Sequence, residues 1–155
     1  MTVDELTSAG LQPMDDGEMR DFLASRGVGV LGLSTDSVPY LFPMSFGYDG
    51  EDCLYFTYVV GDSSRKQRLT EAADRATLLA YNAASPFQWQ SVAVTGTIAR
   101  LPDDQWDDFA GVMDNAWRPE IFENADADVR VYQFTIEERE GYKHTGLPPG
   151  FERPE

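Results

Sequence analysis

The residues best suited to chemistry lie in one short run, Ser63-Ser64-Arg65-Lys66-Gln67-Arg68, which puts three cations within four positions. The surrounding chain is acidic: its 155 residues carry 27 acids against 12 bases, a net charge of −15. The pattern predicts a short helix that begins at Ser63 or Ser64 and runs to Ala72 or Ala73. Free N–H groups and the dipole at such a start attract anions. Hydroxyls, a guanidinium and an ammonium together suit a phosphate monoester. The competing reading is a solvated basic helix face paired with surface acids. Lys66 and Lys143 are the only lysines and the other ten bases are arginines, so a lysine kept in this cluster favours the phosphate reading.

The cluster follows a β-hairpin rather than a glycine-rich turn. No nucleotide-binding glycine fingerprint and no phosphate-loop pattern occurs in the chain. A ligand held here is therefore not held as in a Rossmann protein or a P-loop NTPase. Other reactive residues are few. His144 is the sole histidine and could donate a proton, although a lone histidine is more often structural or exposed. Cys53 opens a strand and reads as a packing residue rather than a redox centre. There is no cluster of His and Cys that could hold a metal. The acids from Asp103 to Asp108 read as the solvated face of a helix. Among Phe87, Trp89 and Trp117, Trp89 is the best placed to stack on a ring, because it adjoins Gln90.

The charge also excludes partners. A negative field repels nucleic-acid phosphates and anionic lipid heads, so binding to DNA, RNA or a membrane surface is disfavoured. The acids are dispersed and lysine is nearly absent. That pattern favours adaptation to molar salt, where screening shortens repulsion to ~3 Å, over a local patch for a basic partner. A single cysteine allows no internal disulfide and fits a reducing cytoplasm. Met1 to Gly10 lacks the apolar core of a signal peptide, and no apolar run approaches the ~20 residues of a membrane span. These features predict a cytoplasmic protein.

The positioning elements follow from local patterns. Residues 1–13 read as a loose lead-in. Asp15 can cap a helix to Ser25, with Glu18 as its capping-box partner and Met19, Phe22 and Leu23 as its apolar stripe. Val28 to Ser34 reads as a buried strand. Tyr40, Phe42, Met44, Phe46 and Tyr48 alternate onto one face of the next strand, and Pro43 on the other face marks an edge or a gap in its ladder. Asp49 to Asp52 is a hairpin turn into Cys53–Val59. Further strands are expected at Arg75–Asn82, at Gln88–Arg100 with Val92, Val94, Gly96 and Ile98 on one face, and at Val129–Ile136. A helix is expected after Pro102, lined by Trp106, Phe109, Ala110 and Met113. The tail from Gly141 reads as irregular. The length favours one domain, residues 1–155. Hairpin-linked strands with few helices predict a mainly β fold, a closed or split barrel rather than a parallel sheet.

The run from Val38 to Lys66, continued by Phe87 to Leu101, resembles the pyridoxamine 5'-phosphate oxidase-like, FMN-binding split-barrel family. The matching pieces, in order, are Pro39-Tyr40, Pro43-Met44-Ser45-Phe46, Leu54-Tyr55-Phe56-Thr57, Ser64-Arg65-Lys66 and Trp89-Gln90-Ser91-Val92-Ala93-Val94-Thr95-Gly96. The resemblance implies a six-stranded antiparallel split β-barrel. It implies FMN, with the backbone of Pro43, Met44, Ser45 and Phe46 along the ring and Phe56 and Thr57 near the ribityl chain and phosphate. Ser64, Arg65 and Lys66 would hold the phosphate. Gln90, with Ser91 beside it, would reach the flavin from a second subunit, which implies a homodimer with the cofactor at its interface.

The chain departs from the family pattern in three places. The family's enzyme proper has a lysine near Gly47 and a basic C-terminal segment for its substrate. Here residues 136–155 offer Arg139, Lys143 and His144 without a match, and the stretch between Thr57 and Ser64 is longer. Vitamin B6 oxidation is therefore not expected. Heme binding, found in some relatives of the fold, would have only His144 as a ligand. The expected activity is flavin-mediated electron or hydride transfer to a small molecule, which requires no catalytic acid or base from the protein. The alternatives are a non-enzymatic flavin-binding or sensing protein and a reductase that uses a deazaflavin coenzyme.

Overall fold

The computed structural model describes residues 10–60, 65–102, 104–105 and 128–146. Eight strands and two helices are assigned within them: β1 Leu11–Pro13, α1 Asp16–Ser25, β2 Val28–Leu33, β3 Tyr40–Ser45, β4 Gly47–Tyr48, β5 Cys53–Val60, α2 Arg65–Ala72, β6 Arg75–Ser85, β7 Gln88–Leu101 and β8 Asp128–Thr145. All strands join one antiparallel sheet in the order β3-β2-β6-β7-β8-β5-β4, with β1 added to the far end of β8. The two ends of this order, β3 and β4, are consecutive in the chain and separated only by Phe46. The sheet therefore curls until both its edges are formed by one run, 40–48, which gives the mainly β split barrel that was expected.

The six expected strands are present, and the differences have physical causes. The run 40–48 is split because the N–H of Phe46 turns to the carbonyl of Gly27 at 3.0 Å, while its side chain enters the core. Residues 11–13 are not loose but pair with Tyr142, Lys143 and His144. Residues 141–145 are not an irregular tail but the end of β8, held by both β7 and β1. The helix expected after Pro102 lies almost wholly outside the described residues. Pro43 is exposed on the edge strand β3, where its missing N–H costs no ladder bond.

The helix α1 forms as its pattern dictates. Asp15 caps it by accepting the Glu18 N–H at 2.8 Å, and Met19, Phe22 and Leu23 are buried. The reciprocal half of the capping box is replaced, since the Glu18 carboxylate pairs with Lys143 on β8. In the hairpin between β4 and β5, one Asp49 carboxylate oxygen accepts the N–H groups of Glu51 at 2.8 Å and Cys53 at 3.1 Å. Gly50 supplies the positive φ of 86° there.

The core is lined by Leu31, Phe42, Phe46, Leu54, Phe56, Leu78, Val92, Val94 and Phe134, among others. Its longest ladder, β7 with β8, contains one irregularity. Thr95 faces Glu138 but Gly96 faces Ile136, so Glu137 is the extra residue of a bulge. Before the bulge Tyr132, Phe134 and Ile136 are buried. After it, the β8 residues opposite inward Val94, Val92 and Gln90 are Arg139, Gly141 and Lys143. The bulge thus resets which face each residue occupies, and Gly141 lets α1 approach. A Cβ at Gly141 would lie 2.7 Å from the Met19 Cγ, and one at Gly96 would lie 1.8 Å from the Thr135 carbonyl oxygen. The Gly96→Ala variant is expected to lose about 3 kcal/mol of stability, at the upper end of overpacking costs. Urea denaturation monitored by tryptophan fluorescence would show a lowered midpoint at an unchanged slope; an unchanged midpoint would refute the role assigned to Gly96.

Candidate functional site

The basic cluster opens α2, and a polar anchor fixes that helix to the barrel. Thr70 is buried. Its hydroxyl donates to the Lys66 carbonyl at 2.7 Å and lies 2.8 Å from the Tyr58 hydroxyl on β5. At the next residue, the Glu71 carboxylate accepts from the Tyr132 hydroxyl on β8 at 2.5 Å and lies 3.6 Å from Arg130. Two strands thereby grip the exposed-face helix through its last turn. Burial pushes the Tyr58 hydroxyl up to about 12. Burial, then the neighbouring Glu71 carboxylate, pushes Tyr132 up to about 12 as well.

With the last turn held, the first turn faces the edge strand. The Arg65 guanidinium lies 4.5 Å from the ring centroid of Tyr40, and the Lys66 ammonium 5.2 Å from that of Phe42. The two rings are themselves 5.3 Å apart. Such contacts contribute about 0.5–1 kcal/mol at exposed sites, enough to orient the two cations but not to neutralise them. Arg75 pairs with Glu137, Arg130 with Glu71, Arg139 with Asp52 and Lys143 with Glu18. Among the described residues neither Arg65 nor Lys66 forms such an ion pair. Both are exposed, so an anion can reach them without breaking an ion pair to any described residue.

The other expected site residues divide into three groups. Pro43 is exposed, and Met44 and Ser45 are half-buried, all on β3 beside the cluster. Phe46 and Phe56 are fully buried in the core, so only their backbones could meet a ligand; Thr57 is half-buried. Ser64 lies outside the described residues. Gln90 and Ser91 are not brought to the cluster by their own chain. The row Tyr40–Leu33–Ala76–Gly96 crosses the sheet next to Arg65, and Gln90 sits six residues along β7 from it, about 20 Å. Alternation from buried Val92 turns Gln90 inward and Ser91 to the outer face, between Tyr81 and Tyr142.

His144 is buried. Its Nδ1 lies 2.9 Å from the Phe87 carbonyl, and its ring sits 5.8 Å from Phe87 and 6.3 Å from Trp89. Trp89 is thus already in a ring cluster. Cys53 is half-buried, with Gln133 donating to its sulfur at 3.3 Å. Sequence reasoning missed Tyr40 as the seat of Arg65 and missed the whole anchor of Tyr58, Thr70, Glu71 and Tyr132. The available signal was Thr70 in α2, four residues after Lys66, the spacing at which a helix hydroxyl bonds back to a carbonyl.

A family model, Pyridoxamine 5'-phosphate oxidase, matches residues 15–143. The chain belongs to the pyridoxamine 5'-phosphate oxidase family. Its fold recurs in solved structures of low identity. A FAD-binding protein from Mesorhizobium loti is 20% identical with a TM-score of 0.73, over 88% of this chain and 98% of that one. A FAD and heme binding protein from Mycobacterium smegmatis is 18% identical with a TM-score of 0.69, over 90% and 75%. A FAD binding protein from the same organism is 18% identical with a TM-score of 0.64, over 87% and 100%. No protein of curated function matches the chain. Among the described residues no helix is long and apolar enough to cross a membrane.

In this member of the pyridoxamine 5'-phosphate oxidase family the anchor has a pH signature. Tyr58 and Tyr132 titrate near 10 when unfolded and near 12 when folded. Their contribution to stability is complete below pH 10 and is lost as pH rises from 10 to 12. The loss is up to about 1.4 kcal/mol per pH unit for each tyrosine. Urea midpoints measured at pH 8 and pH 11.5 are expected to converge in Tyr58→Phe relative to the parent chain. An equal fall in both would rule out Tyr58 as a buried titrating anchor.

Proposed function

We propose that this chain binds a flavin mononucleotide moiety, FMN itself or the FMN half of a larger flavin, and acts as an oxidoreductase toward a small molecule. The observation that carries the reading is the pair Arg65 and Lys66, seated on Tyr40 and Phe42 without a carboxylate partner among the described residues. Membership of the family and three structural neighbours named for FAD binding support it. Bound flavin would supply the hydride or electron transfer. The chain's part is to hold it. Arg65 and Lys66 neutralise the phosphate, and the Ser64 hydroxyl donates to it. The backbone of Pro43 to Phe46 on the edge strand faces the ring, with Phe56 behind it in the core and Thr57 toward the phosphate. No step of B6 oxidation is assigned.

The reading includes a homodimer. The outer face of the sheet carries apolar and small rows, Pro43–Val30–Leu79–Ala93 and Leu41–Gly32–Thr77–Thr95, with Leu41 64% and Tyr81 55% exposed. Exposed apolar side chains on this face, Leu41, Leu79 and Tyr81, support its reading as an interaction surface. Ser91 lies on it and Gln90 is its neighbour, which supports their service to the second subunit's cofactor. The dispersed acids and scarce lysines support a cytoplasm of high salt as the working medium.

The protein purified in high salt is expected to be yellow, and mass spectrometry of the released cofactor separates FMN, FAD and a deazaflavin. In the Arg65→Ala, Lys66→Ala double variant, FMN affinity should fall about 100-fold or more while riboflavin affinity stays within twofold. Parallel losses for both ligands would remove the phosphate role. For the dimer, Leu41→Asp with Tyr81→Asp should convert a dimer to a monomer in sedimentation velocity; an unchanged sedimentation coefficient would place the interface elsewhere.

A further inference from the structure

Arg65 also lines a second space. The turn between β2 and β3 and one face of α2 enclose an open cleft of about 520 Å³, lined by Ser34, Thr35, Asp36, Ser37, Arg65 and Leu69, with Ala72 at its end. Arg65, Leu69 and Ala72 recur at helical spacing, so the cleft runs along α2 away from the phosphate site. The turn is internally fixed. The Thr35 hydroxyl donates to the Val38 carbonyl at 2.6 Å and accepts the Ser37 N–H at 3.1 Å. Ser34, Asp36 and Ser37 are exposed, and among the described residues their side chains form no hydrogen bond or ion pair. Asp36 and Arg65 share the cleft without pairing.

This set of groups discriminates between ligands. A bare phosphate would gain from Arg65 but be repelled by Asp36. An uncharged sugar would gain from Asp36 and the serines but leave Arg65 unused. A phosphate followed by a ribose uses both, with the guanidinium on the phosphate oxygens and the acceptor-only carboxylate on the ribose diol. The volume lies within the range of ligand pockets. Resting on the flavin reading above, we propose that this cleft holds the adenylate phosphate and ribose of FAD, so that the chain takes FAD in preference to FMN. Arg65 then stands between the two phosphates of the dinucleotide, and Asp36 is the residue that recognises what FAD has and FMN lacks. The other source of an adenylate is a nicotinamide dinucleotide donor, which shares the chemistry.

The test uses the full chain stripped of cofactor, titrated with riboflavin, FMN and FAD by fluorescence quenching. FAD is expected to bind at least tenfold more tightly than FMN. Asp36→Ala is expected to weaken FAD about tenfold, to leave FMN within twofold, and to leave the melting temperature unchanged, since Asp36 is exposed. Equal affinity of the parent chain for FMN and FAD overturns the proposal. So does tighter FAD binding in Asp36→Ala, the result expected if Asp36 acts only by repulsion. Saturable binding of ADP-ribose to the FMN-loaded chain that is lost in Asp36→Ala assigns the cleft to a nicotinamide donor instead, and overturns the FAD assignment. If FMN binds without a preference for FAD, this inference alone falls; if no flavin binds, the flavin reading falls and takes it along.

Discussion

The pairing of β7 with β8, and the one residue by which it slips, organises most of the molecule. The ladder runs through Gln88–Leu101 and shifts once, at Thr95/Gly96. Without the shift, the alternation that buries Tyr132, Phe134 and Ile136 would continue and bring Glu138, Glu140 and Tyr142 inward. With it, Gly141 and Lys143 turn toward α1 and Arg139 reaches the Asp49–Asp52 hairpin, while Glu138, Glu140 and Tyr142 turn out. Gly141 then takes the Met19 side chain at close range, Lys143 meets Glu18, and β1 closes over the end of β8. Only glycine fits position 96 without displacing backbone, because the bulge drives the Thr135 carbonyl into the space of a Cβ. One small residue thus decides the packing of a helix, an ion pair and a terminal strand.

The same sheet determines where a ligand can be held. Its edges, β3 and β4, belong to one chain segment, so the curled sheet has a seam and β3 has a row of backbone groups that faces away from β2. The segment after β5 returns across this seam as α2. The contacts of Tyr58 and Tyr132 set that helix by its last turn, and the first turn lands on Tyr40 and Phe42. The cations therefore stand beside the edge strand because of two hydroxyls that hold the helix one to two turns further on.

Much of this was legible in the sequence because it is local. Strict alternation from Tyr40 to Tyr48, the Asp15 cap and the even positions of β7 depend on periods of two or 3.6 that the residues themselves display. Pro43 announced an edge by its missing N–H. What was not legible is non-local. Leu11–Pro13 has no pattern of its own and is a strand only because β8 offers a free flank there. Residues 141–145 carry Gly141 and charged neighbours and would not form a strand without β7 and β1 on either side. The bulge is invisible because a register slip changes partners, not composition. The basic cluster was found from charge contrast, yet its seat on Tyr40 and its anchor at Thr70 join residues far apart in the chain. Gln90 and Ser91 were marked by resemblance, and the fold of one chain leaves them on a different part of the sheet from the cluster.

Net charge makes the placement of Arg65 and Lys66, which form no ion pair among the described residues, consequential. A chain at −15 repels an anion on approach, and screening confines that repulsion to about 10 Å at 0.1 M salt and about 3 Å at 1 M. Recognition must therefore come from contact-range donors rather than from a long-range field. An arginine already paired with a carboxylate would have to give up that partner to serve, at a cost comparable with the gain. An arginine or lysine resting on an aromatic ring gives up little, because a ring face leaves the N–H groups at the periphery of the guanidinium or ammonium available to oxygen acceptors. Tyr40 and Phe42 thus do for Arg65 and Lys66 what no carboxylate could. They orient the cations while leaving their charge unneutralised by any described carboxylate, which is what the proposed phosphate site requires.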